Sequence, residues 1–376
     1  MGVPFSVGLL LMLQAPIIVD GHIDTPQRML DAHADISARL PDGHIDIPRM
    51  QVGGLTAAFF SIWVGDSYGP GTAFRRALAL IGAVKQLADT NPAVEMATTA
   101  EEVRAAVARG HVAALMGVEG GHAIENSLAN LDSLYALGVR YMTLTWNNGN
   151  DWAGASMDPK RRGGLTAFGK RVVQRMNEMG MLVDVSHVSD STFWDVIAVA
   201  TGPVIASHSA CRALARHPRN LTDDQLRAIA RTGGVVGINF FPAFLDDGFR
   251  TRYVAQGRRL RPQLDSIRAQ WANTPGMAEF EVDKFRAAHL DGLAVPGIER
   301  LVDHIDHAVR VMGVEHVALG SDFDGIAVLP APMNDVTSLP LLTRALEARG
   351  YSDSDVRKIL GENFLRVLSS ARRRLP

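Results

Sequence analysis

Ile17-Ile18-Val19-Asp20-Gly21-His22-Ile23-Asp24 decides how the rest of the chain is read. A short apolar run ends in a His-x-Asp pair. Side chains alternate along a β-strand, so His22 and Asp24 point to the same side of the backbone. One neutral imidazole and one carboxylate aimed together suit a divalent cation such as zinc. Later apolar runs end in the same kind of residue. Glu119 follows Leu115-Met116-Gly117-Val118, and His187 follows Val183-Asp184-Val185-Ser186. His208 follows Ile205-Ala206-Ser207, and Asp322 follows Leu319-Gly320-Ser321.

Working outward, runs rich in Val, Ile, Leu and Ala read as strands near 16–20, 56–64, 112–118, 139–145, 181–186, 203–207, 235–239 and 316–321. They are continuously apolar rather than alternating, as strands covered on both faces are. Helical stretches lie between them at 73–89, 100–109, 126–137, 165–179, 190–200, 222–232 and 298–312. Asp190 and Thr222 read as helix starts, and Gly138, Gly180, Gly233 and Gly313 as helix stops. Repeated strand–helix alternation predicts an α/β fold of the distorted (β/α)8 TIM-like barrel type. We read residues 1–376 as one metallo-hydrolase barrel. It carries two departures: a long first connection over 31–52 with a second His-x-Asp, His44-Ile45-Asp46, and an insertion over 241–297 between the seventh and eighth strands. The insertion reads as helical and as a cover for the active site. Residues 352–368 read as a closing amphipathic helix.

The chain of 376 residues is 47% hydrophobic, with 38 basic and 40 acidic residues and a formal net charge of −2. That is ample for a large core. The charge balance points to no nucleic acid and no anionic membrane as partner. The apolar stretch 7–13 has no preceding Lys or Arg and no small-residue cleavage site, so no leader is expected. No later stretch reaches the roughly 20 apolar residues of a membrane span, and the basic, polar tail 369–376 lacks a lipid-anchor pattern. Cys211, the single cysteine, fits a reducing compartment. A cytoplasmic protein is expected.

In such barrels the site lies at the C-terminal ends of the strands. His22, Asp24, Glu119, His187, His208 and Asp322 would then converge on one rim. Three imidazoles and this many carboxylates exceed what one tetrahedral zinc uses. Two metals bridged by Glu119 use them economically, with His22 and Asp24 on one and His187 and His208 on the other. Such a pair, roughly 3.5–4 Å apart, makes hydroxide available at neutral pH, and Asp322 is left as general acid/base. Taken singly, a strand-end His is an ordinary hydrogen-bonded residue and Asp24 or Asp322 an ordinary helix cap. Glu119 is harder to dismiss, because a carboxylate leaving a buried strand needs a partner. His44, His304 and His307 read as surface or supporting residues, His122 as a candidate support for the ligands, and Cys211 as packing.

At this point the chain resembles the renal (membrane) dipeptidase family of the amidohydrolase superfamily. The motifs that carry the resemblance are Asp20-Gly21-His22-Ile23-Asp24, Gly117-Val118-Glu119-Gly120-Gly121-His122, Asp184-Val185-Ser186-His187-Val188-Ser189, Ser207-His208-Ser209 and Ser321-Asp322-Phe323-Asp324-Gly325. The resemblance implies a distorted barrel with a two-zinc centre. It implies hydrolysis of dipeptides, often with tolerance for a D-residue at the C-terminal position. It also implies that Arg219, just before Asn220, holds the substrate's carboxylate, a task its two-pronged donor geometry suits. The family carries a His after the fourth strand, where it meets the substrate. This chain reads Thr143-Leu144-Thr145-Trp146-Asn147-Asn148 instead. Indole donates one hydrogen bond and carries no positive charge. Trp146 and Asn147 therefore become candidate substrate contacts, and oxyanion stabilisation falls on the metals or on a nearby Asn.

The leading expectation is a zinc dipeptidase with a small-molecule dipeptide substrate; a homodimer is one assembly open to it, and the sequence does not reveal the oligomeric state. One alternative is a binuclear-metal hydrolase of another small amide, such as an N-acyl amino acid or a lactam. Another is a metal-barrel protein that binds without turnover.

Overall fold

Runs such as Ala57-Ala58-Phe59-Phe60-Ser61-Ile62-Trp63 are buried along their whole length, and they form parallel strands wrapped by helices. The structure is a computed structural model that describes residues 16–290 and 292–371. The apolar stretch at 7–13 and the last five residues of the tail lie outside the described residues. Strands are β1 (Val19–Ile23), β2 (Ala57–Trp63), β3 (Val94–Met96), β4 (Val112–Glu119), β5 (Val139–Thr143), β6 (Leu182–Asp184), β7 (Val204–Ser209), β8 (Val235–Ile238) and β9 (Val317–Leu319). All pair in parallel, and a β2–β4 pairing closes β1, β2 and β4 to β9 into an eight-stranded barrel. The TIM-like expectation is met. β3 was not read from the sequence. It pairs with Val112–Ala114 of β4, before β5 takes over the same edge at Met116.

Helices are α1 (Pro26–Asp31), α2 (Ile47–Gly53), α3 (Ala73–Thr90), α4 (Ala100–Ala108), α5 (Leu128–Ala136), α6 (Ala167–Met179), α7 (Asp190–Val199), α8 (Asp223–Arg231), α9 (Pro242–Leu245), α10 (Asp247–Arg259), α11 (Arg261–Gln270), α12 (Pro275–Ala288), α13 (Ile298–Met312), α14 (Leu339–Ala348), α15 (Asp353–Arg357) and α16 (Asn363–Ser370). The local chemistry explains their ends. Thr222 and Gln225 form a capping box at α8. α6 stops at Gly180, which takes the left-handed conformation (φ 76°) that closes a helix. Asp190 lies in the first turn of α7; the cap is one residue earlier, where Ser189 accepts from the Thr192 amide. Asp46 of the second His-x-Asp caps α2 and pairs with Arg49 at 2.6 Å, so that motif is structural.

Most of the apolar core lies between sheet and helices. A second cluster fills the barrel itself, with Phe59, Leu115, Tyr141 and Ile205 joined by Phe364 and Leu365 of α16. The closing helix, interrupted by a π turn at Lys358–Glu362, thus seals the lower mouth. Burying a side chain such as Phe364 contributes about 1.5–3 kcal/mol. Gly117 is required here: a Cβ at that position would fall 2.0 Å from the Tyr141 ring. The 241–297 insertion is helical as expected, and α10 to α12 arch over the opposite mouth, with Tyr253, Phe280 and Asp283 lining the cavity beneath. No helix among the described residues is long and apolar enough to cross a membrane.

Candidate metal centre

Each expected ligand sits at the C-terminal mouth. His22 lies inside β1 rather than past it, because the strand runs to Ile23, and Asp24 follows one residue on. Glu119 ends β4 and His208 lies in β7. His187 and Asp322 lie three residues beyond β6 and β9, both left-handed, with φ of 69° and 66°. Left-handed backbone at non-glycine residues costs on the order of 1–3 kcal/mol each and gathers where the surrounding fold over-determines a site.

Glu119 sits at the centre. Its Oε2 lies 3.3 Å from His22 Nε2, and its Oε1 lies 2.8 Å from His187 Nε2 and 3.6 Å from His208 Nε2. Asp24 Oδ2 is 3.4 Å from His22 Nε2. The two oxygens of one carboxylate thus face two separate ligand sets. Asp24, His22 and Asp322 also draw within one ion's reach of each other, as do His22, Glu119 and His208.

The ring nitrogens turned away from the centre show why these imidazoles face it as they do. The Tyr141 hydroxyl donates to Gly21 O at 3.1 Å, so it accepts from His22 Nδ1 at 2.8 Å. The Ser207 hydroxyl donates to Asp184 at 2.5 Å, so it accepts from His208 Nδ1 at 2.8 Å. Asn147 Oδ1 accepts from His187 Nδ1 at 3.1 Å. Each outer nitrogen therefore carries the hydrogen, and each Nε2 presents a bare lone pair inward. His187 and His208 Nε2 lie 2.9 Å apart, and His22 Nε2 is buried with no hydrogen-bond partner. Converging lone pairs and carboxylates with no donor between them are what a cation stabilises. The residues present fit a metal pair.

The field agrees. Burial opposes charge on His22, but Tyr141, Glu119 and Asp24 overcome it and raise its pKa well above the usual value. Burial, then Arg219, lowers His187 to about 4; burial, then His22 and Arg219, holds His208 well below its usual value. Burial alone would raise Glu119, but His22 and His187 hold its carboxyl well below the carboxylate range. Burial and then neighbouring Asp24 push Asp322 up to about 7, while Asn239 Nδ2 donates to it at 2.9 Å.

A cavity of about 420 Å³ opens above these groups. Arg219 lines it. This guanidinium is 4% exposed, has no carboxylate within 4 Å among the described residues, and leaves Nε without a partner. It is held in place by donating to His208 O at 3.0 Å, and burial lowers its pKa to about 10. Trp146 forms a wall, edge-on to Trp63 at 5.0 Å and 6.5 Å from His187. Asn147 lines the cavity too, but its oxygen is committed to His187, so it orients that imidazole as well as facing the cavity.

Other expectations move. His122 reaches Gly65 O at 3.2 Å and supports the loop after β2, not the ligands. His304 is not a surface residue: it is fully buried, accepting from the Cys211 amide and bonding Leu245 O at 3.0 Å. Cys211 is buried packing, as expected, and burial pushes its thiol up to about 12. His307 pairs with Asp223 at 2.7 Å, and His44 with Asp324 through the Asp324 amide at 3.0 Å. Tyr141, Ser207 with Asp184, and Asn239 were not singled out from the sequence.

Comparison with known proteins agrees with this geometry. The model of the family described as membrane dipeptidase (Peptidase family M19) matches residues 10–374. Dipeptidase verJ of Clonostachys rogersoniana is 35% identical over 276 residues, 73% of this chain, and the match spans 59% of that relative's length. Among solved structures, the metallopeptidase dipeptidase AC is 29% identical, with a TM-score of 0.78, covering 95% of this chain and 98% of its own. A metallopeptidase from Rhodobacter sphaeroides, liganded with a phosphinate mimic of L-Ala-D-Ala, is 28% identical at a TM-score of 0.77, covering 95% and 100%. The probable dipeptidase PvdM of Pseudomonas aeruginosa is 27% identical at 0.79, covering 96% of each chain. Matched over nearly its whole length, with the rim residues converging in space, the chain belongs to the membrane dipeptidase family.

Proposed function

We propose that the protein is a zinc-dependent dipeptidase with a binuclear centre. The observation that carries this is the division of Glu119, one oxygen facing His22 and the other facing His187 and His208. Glu119 bridges the two sites, His22 and Asp24 complete one, and His187 and His208 complete the other. Two zinc ions held there would bring the pKa of a water near neutrality and polarise the scissile carbonyl.

The chain's own groups do the rest. Arg219, a buried cation with no carboxylate partner among the described residues, takes the substrate's free carboxylate and so favours short substrates with an unblocked C-terminus. Asp322 accepts a proton from the attacking water and returns it to the departing amine as the peptide C–N bond breaks. Its environment, which favours the protonated carboxyl, suits a group that must hold a proton between the two steps. Trp146 and Trp63 wall one side, and α10 to α12 limit access of bulk water. The complex of the 28%-identical Rhodobacter sphaeroides relative with a dipeptide mimic supports the substrate class.

The test is a panel of L-Ala–D/L-X dipeptides offered to zinc-loaded protein. Turnover is expected, and Asp322→Asn should lower kcat by roughly 10²–10⁴-fold with bound metal unchanged. Absence of turnover across the panel, with metal fully bound, rejects the reading.

A further inference from the structure

The insertion that covers the barrel mouth carries polar groups that the mechanism above does not use. Asp283, half-buried on α12, lines the cavity and has no hydrogen bond or ion pair among the described residues. Tyr253, on α10, lines the same cavity. It is 3% exposed, and its hydroxyl is buried without a partner. Neighbouring charges are otherwise engaged. Glu279, one turn before Asp283, pairs with Arg268 at 2.8 Å. Arg286 lies flat over the Tyr253 ring at 3.4 Å and donates to Tyr253 O at 2.7 Å. Arg250 pairs with Asp247 at 2.8 Å. Lys284, the next residue, is turned away to Asp42 at 2.7 Å.

A carboxylate in a confined cavity with no close ion pair is costly, Arg286 and Arg268 offsetting only part of that cost, and an unmatched phenol beside it adds to it. A ligand that supplies a cation and accepts or donates one hydrogen bond relieves both. Burial and Glu279 raise the Asp283 pKa well above the usual carboxylate range, and the nearby Arg286 and Arg268 offset this only in part. Arg219 lines the same cavity and has no carboxylate within 4 Å among the described residues, so two groups of opposite charge without a close ion pair call for different parts of one substrate.

We propose that Asp283 and the Tyr253 hydroxyl select substrates carrying a basic side chain, with Asp283 pairing with its cation. This rests on the dipeptidase reading of the site and names which dipeptides the lid favours. Asp283 and Tyr253 act on specificity, not on the bond-breaking step.

The experiment compares Lys-Ala and Ala-Lys with the isosteric norleucine dipeptides, which keep the same length and the same α-ammonium but lose the side-chain charge. The wild-type protein should prefer a lysine dipeptide in kcat/KM. Asp283→Asn should abolish that preference, a loss of roughly 10- to 100-fold on the lysine substrate, and leave the norleucine substrates unchanged. Tyr253→Phe keeps the ring under Arg286 and should reduce the preference by a few-fold. No lysine preference in the wild-type protein overturns the proposal. Equal losses on lysine and norleucine also overturn it, and would make Asp283 an α-ammonium contact or a counter-ion of Arg286. Failure of all dipeptides to turn over rejects the dipeptidase reading by itself. Calorimetric binding of the same pairs to zinc-loaded protein then decides this one: tighter lysine binding that disappears in Asp283→Asn supports it, and equal binding overturns it.

Discussion

The rim of the barrel and the lid above it are built on opposite rules. At the rim, every outer imidazole nitrogen of His22, His187 and His208 has a partner, and the three inner nitrogens gather around Glu119. In the lid, α11 and α12 are tied by exposed ion pairs such as Arg268–Glu279, while Asp283 and the Tyr253 hydroxyl line the cavity without a hydrogen-bond partner among the described residues. The rim is a cage preorganised for cations, held on strands that are buried along their length. The lid is a set of short helices with small apolar clusters of their own. The difference teaches where each property resides: chemistry is fixed where the second partners are complete, and selection is left to a part of the molecule that can change without disturbing them.

The sharpest way to break that division is Glu119→Gln. An amide presents one oxygen and one NH2 group, so it cannot offer lone pairs to both ligand sets. Metal content should fall from about two equivalents per chain toward one or none, read by elemental analysis. Activity should drop by at least ~10³-fold, beyond what loss of a single electrostatic donor costs. A variant that kept both metals would show that Glu119 is not the bridge, and the cage would need another centre.

A smaller effect tests whether the second partners matter as much as the contrast implies. Tyr141→Phe keeps the ring that fills the barrel against Gly117 but removes the acceptor for His22 Nδ1 and the donor to Gly21 O. Outer partners of this kind are worth roughly 10–100-fold in metal affinity. Competition with a chelator should show that loss. Stability should fall by about 1–3 kcal/mol, because two buried polar groups are left unpaired. Unchanged metal affinity would mean that the strand alone aims His22.

The same contrast explains what the sequence made legible. A ligand must leave a strand at its C-terminal end, so His22, Glu119, His187, His208 and Asp322 could each be picked out beside an apolar run. Their order along the chain matched the order of barrel strands. The partners behind them carry no such mark. Tyr141 sits inside the apolar run 139–145 and reads as core, which by packing it also is. Asn147 stood out only as a neighbour of Trp146, and its bond to His187 depends on how the loop after β5 folds back. Val94-Glu95-Met96 is too short to read as a strand and exists because β4 has a free edge before Met116. His304 read as a surface or supporting residue because it follows no strand-like run, yet the 3.6-residue period turns it inward with Leu301, Ile305 and Ala308. In the lid, Asp283 and Lys284 are adjacent letters of one charged helix, and only the three-dimensional placement turns one to the cavity and the other to Asp42.

That last pair gives the mildest test, and it bears on whether lid and rim are separable at all. The lid meets the rim through Asp42, which takes Lys284 at 2.7 Å and Arg28 at 2.6 Å. Arg28 in turn lies 4.4 Å over the Phe280 ring of α12 and 3.4 Å from Asp324, two residues past Asp322. The Lys284 side chain is 50% exposed and that of Arg28 only 5%. An exposed pair is worth about 0.2–1 kcal/mol and is screened by salt. Lys284→Ala should therefore leave kcat unchanged and raise KM by no more than about fivefold, with the difference closing as ionic strength rises. The buried Arg28 keeps lid and rim in contact through Phe280 and Asp324 after the surface pair is gone. A large, salt-independent fall in kcat would show instead that the lid helps to shape the rim, because a change confined to α12 would then have reached the acid at Asp322.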